Sequence, residues 1–135
     1  MIKSVEKALN ILSFVVGAGN IPVPLGIIAQ ACQLNDSTCA HLVDTLCETA
    51  YLEKVSPKEG YIPGPKAYMV STKRYYRQEL MEAAMPVMKE LCLIAQENSV
   101  TLSVLLRKHL FSVCQITYVD GTCQYRGLAT NGLYP

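Results

Sequence analysis

Side chains that donate and accept hydrogen bonds recur at helical spacing in the segment NDSTCAHLVDTLCE, residues 35–48. Ser37, His41 and Asp44 are three or four residues apart, so an α-helix would place them on one face. Short polar groups on an exposed helix face are what a protein uses to contact base edges in the major groove of DNA. The segment therefore predicts a DNA-reading helix. Its candidate contact residues are Ser37, Thr38, Ala40, His41, Asp44 and Thr45.

The charge of this predicted helix is unusual, because DNA is a polyanion. The helix carries Asp36 and Asp44, and the first lysine after it is Lys54. His41 can donate to a guanine or a phosphate, and Asp44 can accept from a cytosine amino group, which is a rarer contact. Without a bidentate arginine, about 1–3 kcal/mol of base discrimination is forfeited per site. We therefore expect DNA binding that is weaker, and more dependent on dimer geometry, than in a relative that carries arginine on this helix.

Attraction to phosphate must then come from basic residues outside the helix. Lys58 stands in a predicted turn and is the best single candidate for a contact to the DNA backbone or minor groove. Each of the other basic residues fits an ordinary solvated surface equally well. The candidates are Lys3, Lys7, Lys54, Lys58, Lys66, Lys73, Arg74 and Arg77. Lys3, Lys54 and Lys58 are the expected DNA contacts among them.

A winged helix-turn-helix over residues 1–65 would position these side chains. Apolar residues recur at helical spacing after Ser4, a candidate N-cap, and a second short helix follows Pro24. Asn35 is predicted to cap the reading helix. The stretches YLEKV and GYIPG then predict two strands around a turn. A hairpin directly after a reading helix is typical of a winged helix-turn-helix.

The remaining sequence predicts a linker helix over residues 66–79 and part of a second domain over residues 80–135, within an α+β fold. Pro86 must bend or divide the helical stretch, since proline removes a backbone donor and clashes with the preceding turn. Three antiparallel strands follow, with turns at residues 107–109 and 120–121. One helix and three strands do not close a domain, so we expect an open sheet edge and an uncovered apolar face. Either the chain is a fragment or another chain completes it.

Bulk composition limits the classes of function. The 135 residues carry a formal charge of +1, and residues 1–70 hold five basic and six acidic side chains, which argues against a strong generic nucleic-acid binder. Six cysteines without a CxxC pair favour reduced thiols in a cytoplasmic protein over a metal site at Cys32, Cys39 and His41. No apolar stretch reaches the ~18 residues of a membrane span. We expect no cofactor, no metal and no enzymatic activity, since no phosphate loop, nucleophile elbow or useful carboxylate pair is present.

The order of these motifs resembles the isocitrate-lyase-regulator (IclR) family of bacterial transcription factors. The stretches that carry the resemblance are SVEKALNIL (4–12), IIAQACQLNDST (27–38), HLVDTL (41–46), YLEK (51–54), GYIPGPKAY (60–68) and MPVMKELCLIAQENSVTLSVL (85–105). No single motif is decisive, but the ordered set is specific and spans the chain. Departures fall on the reading helix, where the family often has a lysine at Asp36, an aromatic or histidine at Ala40 and an arginine at His41.

The resemblance implies a homodimer that reads a palindromic operator in double-stranded DNA. Family members pair through their linker and N-terminal helices, so Tyr68, Tyr75 and Tyr76 fit a dimer seam better than a stacking platform for bases. Their GAF-like C-terminal domain binds a small organic effector. This chain stops within that domain, so we expect that it no longer binds an effector. Repression is the expected sign of regulation, although the residues do not decide between repressor and activator.

A second class of function fits the same residues. The net-negative first half, with Asp36 and Asp44 on the outer helix face and an outward Ile27, also fits a protein-interaction module. Such a module would have kept the winged helix and given up DNA binding, and it would modulate the dimer of a full-length relative. The two hypotheses differ in whether any DNA is bound.

Overall fold

The chain folds into two units that mix helices and strands, which confirms the predicted α+β class. The computed structural model of the protein describes residues 1–71, 77–96 and 98–126. The two units are Met1–Lys73 and Arg74–Pro135. Each unit has an apolar core of its own, so each is described separately.

The first unit places three helices before a two-stranded antiparallel hairpin. Its described elements are α1 (Lys3–Gly17), α2 (Leu25–Ala31), α3 (Asp36–Glu48), β1 (Leu52–Ser56), β2 (Gly60–Pro63) and α4 (Pro65–Ser71). Its largest fully buried side chains are Ile11, Val15, Ile28, Val43 and Leu52. The helix predicted over residues 35–48 and the two strands predicted after it are therefore confirmed as elements.

Neither of the first two helices has a side-chain cap. The prediction that Ser4 caps α1 is wrong, because the helix begins at Lys3 and its N-cap is Ile2. The carbonyl of Ile2 already accepts from the Glu6 amide at 3.2 Å, so the first helical hydrogen bond forms before Ser4 could act as a cap. Pro24 stands at the N-cap of α2 and likewise makes no side-chain hydrogen bond, as its residue type requires.

Only part of the apolar spacing of α1 is buried. Ile11 and Val15 are fully buried, whereas Val5, Leu9 and Val16 are exposed. Apolar residues occur on more than one side of this helix, so its periodicity alone does not select the side that packs against α2 and α3.

Non-glycine residues in the left-handed conformation end α2 and α3. Gln33 has φ of 55° and Ala50 has φ of 61°. After α3, the Tyr51 amide donates to the Leu46 carbonyl at 2.8 Å, and the Ala50 amide donates to the Cys47 carbonyl at 2.9 Å. These two bonds form a Schellman motif, which satisfies carbonyls that have no partner within the helix. The turn therefore stops α3 and directs the chain into β1.

A close backbone contact ties the hairpin to the segment before α2. The Val23 amide donates to the Tyr61 carbonyl at 2.8 Å, and the Tyr61 amide donates to the Val23 carbonyl at 2.9 Å. The residue before each proline is biased towards extended backbone, and Val23 in the segment NIPVP is extended as this bias predicts. Gly60 lies beside this bridge with φ of 104°, and a Cβ there would collide with the Val23 carbonyl. Only glycine fits this position.

In the second unit, one helix packs on a three-stranded antiparallel sheet. Its described elements are α5 (Gln78–Ala95), β3 (Ser99–Leu106), β4 (His109–Val119) and β5 (Thr122–Arg126), with strand order β3-β4-β5. The core residues are Met81, Met88, Cys92, Val113, Cys114 and Ile116. The sheet also leaves apolar residues exposed, as the small number of elements predicts. They are Leu105, Leu106, Leu110, Phe111 and Tyr125.

The two turns of this sheet are tight, and their residues have positive φ, which is the left-handed backbone conformation. Asp120 and Gly121 have φ of 49° and 81°, which confirms the predicted turn. The first turn is shorter than predicted: only Arg107 and Lys108 form it, with φ of 47° and 70°, and His109 is already paired in β4.

The sequence predicts a linker helix over residues 66–79 and a further helix over residues 80–97. The described elements in this region are α4 (Pro65–Ser71) and α5 (Gln78–Ala95). Pro86 lies inside α5 and does not divide it. The expectations for Lys73, Arg74, Tyr75 and Tyr76 lie outside the described residues.

We expect Ala50→Gly to stabilise the chain by about 0.5–1 kcal/mol. Glycine adopts the left-handed conformation without the steric cost of a Cβ, and this gain exceeds the entropy that glycine adds to the unfolded chain. Urea unfolding followed by circular dichroism measures the change. Ala8→Gly inside α1 is the control and should destabilise the chain by about 1 kcal/mol. A loss of stability in Ala50→Gly would show that the left-handed conformation of Ala50 does not cost the folded chain stability.

Candidate nucleic-acid interface

One face of α3 is open to solvent and carries the polar side chains predicted to contact DNA. Ser37, His41 and Asp44 are all exposed, as their three- and four-residue spacing predicts. The buried residues of the helix are Cys39, Val43 and Leu46. The structure therefore separates a polar outer face from an apolar inner face.

The N-terminus of α3 is held by a side-chain cap. The Asn35 Oδ1 atom accepts from the Thr38 amide at 2.8 Å, which confirms the predicted cap. The amides of Asp36 and Ser37 come before any carbonyl that could serve as an intrahelical acceptor, so they are free to meet solvent or an anion. The Asp36 carboxylate in the first turn stabilises the helix dipole but opposes a phosphate at the same place.

Three of the predicted contact residues are less available than the others. Thr38 and Ala40 are half-buried. The Thr45 hydroxyl donates to the His41 carbonyl at 3.1 Å, so its donor is committed to the helix itself. Contact of these residues with DNA stays a prediction, and Ser37 and His41 are the better placed candidates.

The hairpin presents two lysines in different ways. Lys58 is exposed in the turn between β1 and β2. This turn is braced by two hydrogen bonds: the Ser56 hydroxyl donates to Glu59 Oε2 at 3.0 Å, and the Glu59 amide donates to Ser56 Oγ at 3.0 Å. The Lys54 ammonium lies 5.9 Å from the centroid of the Tyr61 ring, a cation–π contact that restrains it. Lys58 is therefore the freer cation.

The other predicted cations are spread over the fold. Lys3 is exposed on the first residue of α1, and Lys7 is half-buried one turn later. The Lys66 ammonium lies 5.9 Å from the centroid of the Tyr51 ring, so it too makes a cation–π contact. No continuous basic surface follows from these positions, in keeping with the low net charge of the chain.

Burial and nearby charges shift the pKa of the Cys47 thiol on α3. Burial raises this pKa, Asp44 raises it further, and Lys54 lowers it. The net shift is upward, so the Cys47 thiol is a weaker acid than a solvent-exposed cysteine.

Burial raises the pKa of the three cysteine thiols of the first unit, Cys32, Cys39 and Cys47. The pKa of Cys39 is raised first by burial, and then by Cys32 and Asp36. Within residues 1–71, 77–96 and 98–126, no group of three or more His, Cys, Asp or Glu residues is placed to hold a metal ion. Cys32, Cys39 and His41 thus form no such group.

The structure also shows an exposed apolar surface on α1, which the sequence motifs for DNA binding do not include. The N-terminal half of α1 lines an open depression of about 420 Å³. Its lining residues are Met1, Ile2, Val5, Glu6, Leu9 and Asn10. The signal was the spacing of Ile2, Val5 and Leu9, which lie on a different side of the helix from the buried Ile11 and Val15.

Solved structures with this arrangement are transcriptional regulators. An IclR family transcriptional regulator from Brucella abortus matches with a TM-score of 0.70 and 16% sequence identity, over 96% of this chain and 48% of its own. This is the fold of IclR-type regulators. An IclR transcriptional regulator from Alicyclobacillus acidocaldarius shares the IclR fold with a TM-score of 0.63 and 15% identity, over 96% of this chain and 52% of its own.

A third structure with the IclR fold was solved with a bound ligand. This IclR homologue from Microbacterium hydrocarbonoxydans, complexed with 4-hydroxybenzoate, has a TM-score of 0.63 and 15% identity, over 98% of this chain and 53% of its own. The chain thus spans about half the length of the structures it matches. No family model and no curated protein matches the sequence. In the described part of the chain, no helix combines the length and apolarity needed to cross a membrane.

We expect Asn35→Ala to destabilise the first unit by about 1 kcal/mol, because it leaves the Thr38 amide without its acceptor. Asn35→Asp is the matched control, since a carboxylate oxygen caps the same amide and favours the positive end of the helix dipole. Urea unfolding measures both variants. An equal loss of stability in Asn35→Ala and Asn35→Asp would show that the side-chain cap does not stabilise α3.

Proposed function

We propose that this chain is a sequence-specific DNA-binding transcriptional regulator that acts as a homodimer. In this proposal residues 1–65 form a winged helix-turn-helix whose α3 enters the major groove. Residues 66–79 form the linker, and residues 80–135 form the first part of a GAF-like effector domain. The regulator would act in the cytoplasm, without a cofactor and without enzymatic activity.

The exposed N-terminal half of α3 carries the proposal. Ser37 and His41 offer hydrogen-bonding groups on a helix that Asn35 caps, and the helix N-terminus offers free amides. In helix-turn-helix proteins the residues at the start of the second helix contact base edges. Lys58 is exposed at the tip of the following hairpin, and in this proposal it meets the DNA backbone beside the groove. The IclR-type fold supports the same assignment.

The homodimer is proposed to form through α1 and α4. Ile2 and Val5 on α1 are exposed, as are Tyr68, Met69 and Val70 on α4. Apolar residues exposed in contiguous patches mark interaction surfaces. To read a palindromic operator, a twofold contact through these helices must set two copies of α3 about 34 Å apart, which is one turn of DNA.

No effector site is assigned to the described residues of the second unit. They supply one helix and three strands, whereas a pocket for a drug-sized ligand buries most of the ligand surface and needs walls on several sides.

Fluorescence anisotropy of labelled duplexes tests DNA binding directly. The probes are the intergenic DNA upstream of the chain's own coding sequence and a random duplex of equal length, each across a salt series. We expect tighter binding to the upstream DNA and weaker binding to both as salt rises, because binding to phosphate releases counterions. No binding at low salt, or binding indifferent to salt, would contradict the proposal.

Variants then separate base recognition from phosphate attraction. Ser37→Ala and His41→Ala should each relax the preference for the upstream DNA by about 1–3 kcal/mol, because each removes a hydrogen-bonding group from a base edge. Lys58→Ala should weaken binding to both duplexes alike and reduce the salt slope by about one. Lys89→Ala, at an exposed lysine of α5, is the control and should change neither quantity. A sequence-dependent effect of Lys58→Ala would overturn its assignment to phosphate.

The acidic character of α3 favours one other function. Asp36 and Asp44 are exposed on its outer face, and Ile27 of α2 is exposed as well. These residues fit a module that binds a full-length IclR-type regulator and modulates its dimer. Co-purification of the chain with such a regulator, with no shift of any DNA, would favour this function over the first.

A further inference from the structure

Sulfur atoms line the contact between α5 and the sheet of the second unit. The core of this contact includes Met81, Met88, Cys92 and Cys114, and Cys123 packs against it. The Cys114 thiol donates to the Met88 sulfur at 3.7 Å, so this thiol already has a partner. Cys92 and Cys123 are the other two cysteines of the contact, and both are free thiols in the structure.

The strand register places Cys123 on the side of the sheet that α5 covers. Cys123 is paired with Tyr118 of β4, and residues paired across an antiparallel ladder point to the same face. Tyr118 is two residues from the fully buried Ile116, so these two share a face as well. Cys92 is fully buried in the face of α5 that packs on the sheet. The fold therefore brings Cys92 and Cys123 together from α5 and β5.

The two thiols differ in their access to solvent. Burial raises the pKa of the Cys92 thiol, and a hydrogen bond with Cys123 raises it further. Cys92 has no exposed surface, whereas Cys123 is half-buried. A reagent in solution therefore reaches Cys123 first, and it reaches Cys92 only through Cys123.

Cys114 lies too far along the sheet to compete for Cys123. It is four residues from Tyr118 on β4, and this separation is about 13 Å at roughly 3.3 Å per residue. Two cysteines whose Cα atoms are more than about 7 Å apart cannot be bridged without movement of the backbone. The fold thus selects Cys92 over Cys114 as the partner of Cys123.

We propose that Cys92 and Cys123 form a redox-responsive thiol pair, which low-molecular-weight disulfides oxidise to an intramolecular disulfide. The Cys123 thiolate attacks such a disulfide, which gives a mixed disulfide at Cys123 and releases one small thiol. The Cys92 thiolate then attacks the Cys123 sulfur and releases the second small thiol. The two protein thiols are oxidised, the small disulfide is reduced, and the protons of both cysteines pass to the released thiols.

Oxidation of this pair would tie β5 to α5. The disulfide closes the chain between residues 92 and 123, which restricts the unfolded state and stabilises the folded one. Melting of the oxidised chain should therefore shift upward by about 5 °C or more, and the shift should vanish when a reducing agent is added. The pair lies in the second unit, and the proposal does not rest on DNA binding.

Mass spectrometry of the full chain identifies the linked residues. The reduced chain is incubated with oxidised glutathione, its remaining thiols are alkylated, and it is cut with trypsin. Cys92 then lies in peptide 90–107, and Cys123 lies with Cys114 in peptide 109–126. We expect the two peptides to be joined, with fragment spectra that assign the bond to Cys92 and Cys123.

The same reaction in concentrated urea is the matched comparison. Cys123 is 31 residues from Cys92 and nine residues from Cys114, so the unfolded chain should favour the shorter loop to Cys114 about sixfold. In the folded chain the bond to Cys92 should exceed the bond to Cys114 at least about tenfold, because the sheet holds Cys114 out of reach. The same pairing preference with and without urea would overturn the proposal.

Three variants separate the two steps of the reaction. Cys92→Ala should stop at the mixed disulfide and keep one glutathione on Cys123. Cys123→Ser should leave Cys92 reduced, because the reagent reaches Cys92 only through Cys123. Cys114→Ala is the control and should form the disulfide as the parent chain does. Circular dichroism of the reduced variants establishes that each is folded, and the parent chain with Cys123→Ser carries the test if Cys92→Ala is not.

Four outcomes would contradict the thiol pair. They are no linkage in the folded parent chain, a bond from Cys92 to a cysteine other than Cys123, loss of the linkage in Cys114→Ala, and glutathione on Cys92 in Cys123→Ser. DNA anisotropy of the reduced chain reports separately on the proposed function.

Discussion

Burial of one side of α3 determines what the first unit can offer to a partner. Cys39 and Val43 are completely buried in the core that α3 shares with α1 and α2. Because a helix is rigid, fixing this side turns Ser37 and His41 outward. The stability of the arrangement comes from apolar burial, so the outer face can change its charge while the fold persists. An IclR-type fold can therefore carry acids where a basic surface would be expected.

Elements with strong local signals could be predicted from the sequence. Asn35 combines a capping side chain with a two-faced apolar pattern after it, and α3 follows accordingly. Asp120–Gly121 dictates a tight turn through its backbone preferences alone. The strands of both hairpins were likewise bounded by turn residues. In each case the deciding interaction joins residues only a few positions apart in the chain.

Features that depend on distant contacts could not be predicted in this way. The sequence of α1 is apolar on several sides, and packing on α2 and α3 selects Ile11 over Val5 and Leu9. Ala50 adopts the left-handed conformation although it is not a glycine, so its residue type does not predict the turn. At the site, the commitment of Thr45 to its own helix and the stacking of Lys54 on Tyr61 are products of the folded geometry. From residue type alone, the Thr45 hydroxyl and the Lys54 ammonium would both be counted as available for contact with DNA.

At the tip of the first hairpin, order and charge are coupled. The two hydrogen bonds between Ser56 and Glu59 enclose Lys58 in a closed four-residue loop. The loop gives up its conformational entropy during folding, so a partner that touches Lys58 faces only a small further ordering cost. Glu59 supplies that order and also a negative charge one residue away. Exchange of Glu59 for a basic residue would strengthen the attraction for an anion and, at the same time, remove one of the two hydrogen bonds that close the loop.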